Sequence, residues 1–195
     1  IGIEVEILTG DDEACLSALA VRSDPHWRTA PYIVVFDIGG GSTEIVFDDL
    51  SRKEQTRASL QLGAVRVTEQ ALTHDPPTPE QIDEARAIIA RTLASVHWPR
   101  VALTAVGVGG TMTNMGAVIL ARKGRNDREA LHGMVLTLDD VRDQIRLYAS
   151  LTNAERRRLP GLDPGRSDVI LAGALIVEGA LIAGGLREIA ISCRG

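Results

Sequence analysis

Between two strand-like runs of this 195-residue chain stands Asp37-Ile38-Gly39-Gly40-Gly41-Ser42-Thr43-Glu44. A carboxylate at a strand end can hold a divalent cation, and consecutive glycines let backbone N–H groups approach phosphate oxygens that any Cβ would keep away. Ser42 and Thr43 add hydroxyl donors. The blander use is a tight hairpin in which Asp37 satisfies its own turn; a hairpin rarely needs three glycines in series, so phosphate binding is the expected role of Gly39, Gly40 and Gly41. Gly107-Val108-Gly109-Gly110-Thr111 repeats the pattern at a strand-to-helix junction, where N–H groups lack intrahelical partners and the helix dipole favours an anion. No Gly-Lys-Ser/Thr follows, so this is not a P-loop, and a close helix–sheet packing turn would explain it equally well.

Other chemistry-bearing residues carry less. Glu13, in Gly10-Asp11-Asp12-Glu13-Ala14, sits in an acidic first helical turn, where complementing the helix dipole is reason enough for a carboxylate. His132, beside Gly133, is a loop histidine without a sequence partner, a pattern of structural or solvated histidines. Arg156-Arg157-Arg158 fits the exposed C-terminal end of a helix, where cations are favoured. Cys15 and Cys193 have no CxxC or Cys/His spacing, which excludes a zinc site or redox pair by pattern and fits a reducing cytoplasm.

Composition narrows the class. Lys and Arg number 21 against 26 Asp and Glu, a formal net charge of −5, so a basic nucleic-acid face is unsupported and any anion must be held locally. Aromatic residues are 3% while glycines number 19, which favours recognition by backbone at glycine turns over stacking platforms. No basic leader opens the chain. The long apolar run Val169 to Leu186 is interrupted by Glu178 and lacks basic anchors, so it reads as a buried helix, not a membrane span.

The positioning elements follow from periodicity. Ile3, Val5 and Ile7 alternate with glutamates, a strand, and Ala14 to Val21 is helical. Residues 22 to 31 read as a loop. Strands are expected over Tyr32–Phe36, Glu44–Phe47, Gln55–Leu62, Val101–Val106 and Arg187–Ser192, the first two joined by the glycine turn. Helices are expected over Val65–Leu72, from Pro79 with Ile82, Ala85, Ile88, Ile89 and Leu93 on one face, over Thr111–Leu120, Leu138–Leu151 and Thr152–Leu159, and from a Ser167 or Asp168 cap to about Ala183. This order argues an α/β fold: one five-stranded mixed sheet with helices on both faces.

Together, VVFDIGGGSTEIVF, LQLGAVRVTEQ, AVGVGGTMTN and LPGLDPGRSDVILAGALIVEGAL resemble the second domain of the Ppx/GppA phosphatases, exopolyphosphatases and guanosine pentaphosphate phosphohydrolases of the actin, Hsp70 and sugar-kinase superfamily. The resemblance runs from about Ile1 to Gly195. It implies a ribonuclease-H-like domain over residues 31–195, preceded by a strand–helix segment, 1–30, of the hinge or first domain. The Asp37–Glu44 turn would be a phosphate loop, and Gly107–Thr111 the nucleotide-side loop. ILTGDDEA would place Glu13 as the base that activates water, and Asp37 with Glu44 would be Mg²⁺ ligands. Asp12 stands for the commoner Glu, Cys15 where Arg is frequent, and Cys193 in an acidic position.

The family's first domain, with its Asp-x-Gly-Ser-Asn loop, has no counterpart in these residues, and Ile1 is not a Met, so the chain reads as an excised piece, inactive by itself. The parent is expected to be a cytoplasmic, Mg²⁺-dependent hydrolase of polyphosphate or pppGpp, binding neither nucleic acid nor membrane. A catalytically silent sensor of a phosphorylated nucleotide is the alternative. Ile3 to Leu8 would project as a free strand edge, either pairing with a second copy in a homodimer or staying partly disordered.

Overall fold

The computed structural model describes residues 10–194, and of Asp11 and Glu13 the backbone alone. The strand expected over Ile3–Leu8 lies outside the described residues. Continuous apolar, β-branched sequence makes β1 (Tyr32–Ile38), whose residues from Ile33 to Phe36 are all buried. A glycine turn reverses it into β2 (Thr43–Asp49), and β3 (Glu54–Leu60) follows as a second antiparallel neighbour. The later strands β4 (Thr104–Val108) and β6 (Glu188–Ile191) run parallel to β1, and β5 (Val135–Thr137) pairs antiparallel with β6. The strand order is β3-β2-β1-β4-β6-β5.

The sheet therefore has six strands where five were expected. The additional one, β5, is three residues long, exposed–buried–exposed, too short to show alternation, and exists because it pairs with the edge of β6. A second correction concerns β4, which begins at Thr104 instead of Val101 and continues through Gly107 and Val108. Val101 is exposed, whereas Gly107 is paired with Phe36 on one side and Ile191 on the other. Neighbouring strands, not local sequence, set where this strand stops.

Helices cover both faces. On one, α1 (Gly10–Ser23) lays Ala14, Ala18 and Val21, with Trp27 beyond its end, on Ile33, Val35, Val46, Val106 and Val108. The opposite face carries α2 (Ala64–Ala71), α3 (Pro79–Leu93), α4 (Gly109–Arg122), α5 (Leu138–Ala149) and α7 (Ile170–Ala183). Being apolar all round, α7 is stable only when surrounded, and it packs against α2, α3, α4 and α5. Its one charge, Glu178, is buried and meets Arg86 Nε of α3 at 2.9 Å and Arg142 Nε of α5 at 3.4 Å. Among the described residues no helix is long and apolar enough to cross a membrane.

Capping boxes start three of these segments: Thr78 with Gln81, Thr137 with Asp140, and Thr152 with Glu155. The last opens only one turn, α6 (Asn153–Arg156), so the helix expected to Leu159 is much shorter. Neither Ser167 nor Asp168 caps α7; Val169 occupies that position without a side-chain cap, because the Ser167 hydroxyl donates to the Pro164 carbonyl. The arginine run also needs correcting. Arg157 and Arg158 are exposed, but Arg156 is 5% exposed and donates to the carbonyls of Ser167, Tyr148 and Leu151 at 2.8–2.9 Å. Tyr148 and Leu151 lie at and just past the C-terminal end of α5 and Ser167 lies in the turn before α7, so one guanidinium ties the two segments together. Arg156→Ala would remove three bonds from a buried site, so urea denaturation should show a loss of about 3 kcal/mol. Arg157→Ala should stay within about 0.5 kcal/mol.

Candidate functional site

Parallel β1, β4 and β6 end at the same edge of the sheet, and both glycine turns lie there. In the first, the Gly39 N–H donates to the Ser42 carbonyl at 3.0 Å. The start of α2 closes it from below: Ala64 N–H donates to the Gly39 carbonyl (2.9 Å), and Val65 and Arg66 N–H to the Gly40 carbonyl (2.9 and 3.3 Å). Arg66 Nε adds a bond to the Gly41 carbonyl at 3.1 Å. With its carbonyls drawn to α2, the turn leaves the N–H groups of Gly40, Gly41 and Ser42 without a hydrogen-bond partner among the described residues. Backbone donors grouped in this way are of the kind that can receive an anion.

None of these three glycines has the left-handed backbone that only glycine adopts readily. Space decides instead. A Cβ on Gly40 would lie 3.1 Å from Val65 Cγ2, while one on Gly41 would meet nothing within 4 Å. Gly41 is thus open toward whatever the turn binds. The tightest requirement falls on a residue that motif reading passed over: a Cβ on Gly63 would lie 2.2 Å from the Gly40 carbonyl oxygen. Its signal was the glycine between strand and helix in LQLGAVRVTEQ. Thr43, by contrast, is buried and its hydroxyl donates to the Leu62 carbonyl.

Asp37 and Glu44 are register partners across the hairpin, so their side chains share the α1 face of the sheet. Two carboxylates directly opposed repel unless something neutralises them. Glu44 is buried, with the Ser59 hydroxyl donating to Oε1 at 3.0 Å. Asp37 Oδ2 accepts the Ser17 hydroxyl of α1 at 2.7 Å. Glu13 stands one turn before Ser17 on the same helix.

At the second turn Gly107 belongs to β4, and α4 begins at Gly109 with no side-chain cap. Gly109 has φ +84°, which favours glycine, and a Cβ there would lie a tight 3.1 Å from Asp37 Oδ1. A Cβ on Gly110 would lie 2.9 Å from the Arg166 guanidinium carbon. Thr111 is buried, its hydroxyl 3.4 Å from the Ile38 carbonyl. Beside Gly110 opens a cavity of about 490 Å³ lined by Arg125, Arg128, Arg166, Asn114 and Cys193. These arginines are scattered over a long stretch of sequence, which is why no motif announced them.

His132 does have partners. Its Nδ1 accepts the Cys193 N–H at 3.2 Å, and its Nε2 lies 3.0 Å from Asp24 Oδ2. Asp24 is completely buried; burial pushes its carboxyl up, but the His26 backbone and ring on Oδ1, with His132 and Arg194 on Oδ2, hold it below the usual Asp value. This knot ties the loop after α1 to Cys193 and Arg194.

The Ppx/GppA phosphatase family model matches residues 1–195, and the chain belongs to that family. It is 34% identical over 180 residues to exopolyphosphatase 2 of Mycobacterium tuberculosis, covering 91% of this chain and 55% of that protein. Exopolyphosphatase 1 of the same organism is 30% identical over 195 residues, covering 97% and 55%. Among solved structures, the Ppx/GppA family member of Aquifex aeolicus superposes with a TM-score of 0.88 at 29% identity, over 99% of this chain and 61% of that one. The fold is thus the ribonuclease-H-like fold of actin-like proteins. The chain spans about half the length of the curated relatives it matches.

Because α2 and the first turn interlock through Gly63, Gly63→Ala should cost about 2 kcal/mol or more in chemical denaturation. Gly41→Ala, entering open space, should change stability by no more than about 0.5 kcal/mol.

Proposed function

We propose that the protein containing this chain is an Mg²⁺-dependent phosphoanhydride hydrolase that releases orthophosphate from inorganic polyphosphate, with pppGpp as the alternative substrate. The observation that carries this reading is the convergence of two glycine turns on Asp37 at one edge of the sheet. Free N–H groups of Gly40, Gly41 and Ser42 would hold phosphoryl oxygens. The uncapped start of α4 at Gly109, Gly110 and Thr111 offers a second set. Names of the mycobacterial relatives favour polyphosphate.

The Asp37–Glu44 pair fits Mg²⁺ on its own chemistry: two opposed carboxylates on one face, one of them buried, are hard oxygen donors whose repulsion a divalent cation relieves. The ion would supply charge neutralisation for the transferred phosphoryl group. Glu13, at the start of α1, would orient and deprotonate the attacking water, while the turn N–H groups stabilise charge on the phosphoryl oxygens. The facing wall of the cleft would come from a first domain, with residues 1–30 as the hinge.

In the full-length protein, Glu13→Gln should lower phosphate release by about 10² to 10⁴ with KM little changed, since a base acts in the transition state. Asp37→Asn should raise the Mg²⁺ requirement as well. Unchanged turnover with a lowered Tm in Glu13→Gln would mark that carboxylate as a helix-end residue only. Gly41→Val is the clean test of the phosphate loop, because Gly40→Val would also strike Val65. It should fold and lose phosphate binding by calorimetry; retained affinity overturns the loop assignment. Phosphate release from polyphosphate and from pppGpp, measured side by side, decides the substrate, and binding of pppGpp without release from either would favour a sensor.

A further inference from the structure

Hydroxyls inside the helices of this fold mostly bond to their own helix: Thr68 to the Ala64 carbonyl, Thr92 to Ile88 and Thr113 to Gly109. Back-bonding of this kind is the ordinary resort of a mid-helix Ser or Thr. Among the described residues only Ser17 and Thr111 reach another element, and both reach the end of β1, from opposite faces of the sheet. Thr111 makes a long contact with a carbonyl, but Ser17 donates to the Asp37 carboxylate at 2.7 Å. Ser17 is also the polar exception on its face: Ala14, Ala18 and Val21 beside it are apolar, and all are buried. A hydroxyl there is unfavourable unless bonded. Alanine would suit the helix and the apolar layer better, so the hydroxyl has to be accounted for by what it holds.

What it holds is one oxygen of Asp37. With Oδ2 engaged by Ser17, Oδ1 is the oxygen that faces Gly109. The same bond joins α1 to the strand one turn after Glu13. We propose that Ser17 is a positioning residue for cation binding by Asp37: it locks the carboxylate rotamer so that Oδ1 stays toward the glycine turns, and it clamps the helix bearing Glu13 over that carboxylate. This rests on the reading of Asp37 as an Mg²⁺ ligand. Carboxylate ligands held by an outer hydrogen bond bind metal more tightly than free ones, because the orientation is already set.

The test titrates Mg²⁺ into the substrate-free full-length protein by calorimetry and, separately, follows phosphate release against Mg²⁺ concentration, with Tm as the fold control. Ser17→Ala should weaken Mg²⁺ binding about tenfold or more, and activity lost at low Mg²⁺ should return at high Mg²⁺. Ser17→Cys, which keeps the volume but donates weakly, should behave like Ser17→Ala and carries the measurement if the alanine variant does not fold. A serine with only a structural role would lower Tm and leave the Mg²⁺ titration unmoved; that result overturns the proposal when Asp37→Asn in parallel abolishes Mg²⁺ binding. Should Asp37→Asn leave Mg²⁺ binding intact, the metal reading itself fails and the role of Ser17 falls with it.

Discussion

The contact on which the rest of this edge depends is the backbone approach of Gly63 to the Gly40 carbonyl. Only the absence of a Cβ lets the start of α2 come close enough for three of its N–H groups to take the turn carbonyls. Once the carbonyls point to α2, the opposite side of the turn is left with N–H groups, so a cluster of backbone donors results from a packing constraint. None of the three glycines before Ser42 has an unusual dihedral angle; Gly39 and Gly40 are crowded by the Ser42 carbonyl and Val65, while Gly41 faces open space. Gly109 differs, since its φ of +84° favours glycine and a Cβ there would press on the neighbouring Asp37 oxygen.

Charge is handled by the same geometry. Antiparallel pairing of β1 with β2 sets Asp37 against Glu44, and the apolar layer under α1 isolates them from bulk water on that side. The Ser17 hydroxyl donates to Asp37 and the Ser59 hydroxyl to Glu44. Elsewhere buried charges are closed off within the protein: Glu178 between Arg86 and Arg142, Asp24 among His26, His132 and Arg194.

From the residues alone, the hairpin around Asp37, the amphipathic helix from Pro79, the buried apolar helix and the strand-turn-helix unit ending in glycines were all legible. Each depends on a pattern within about a dozen residues, whether hydrophobic period, capping chemistry or glycine content, and such patterns survive without knowledge of neighbours. Family membership was legible for the same reason: its motifs are local.

Tertiary structure decided the remainder. Val101 and Gly107 could not reveal which of them lies in β4, because ladder partners on both sides set that boundary. Nothing in Arg156-Arg157-Arg158 distinguishes the arginine that turns inward to the Ser167 carbonyl from two that face water. The bond of Ser17 to Asp37 spans 20 residues, and the approach of Gly63 to Gly40 joins a strand end to a turn two strands earlier. A single chain records the types of residue its backbone needs. Which atom each one touches becomes definite only when distant segments are packed to van der Waals contact.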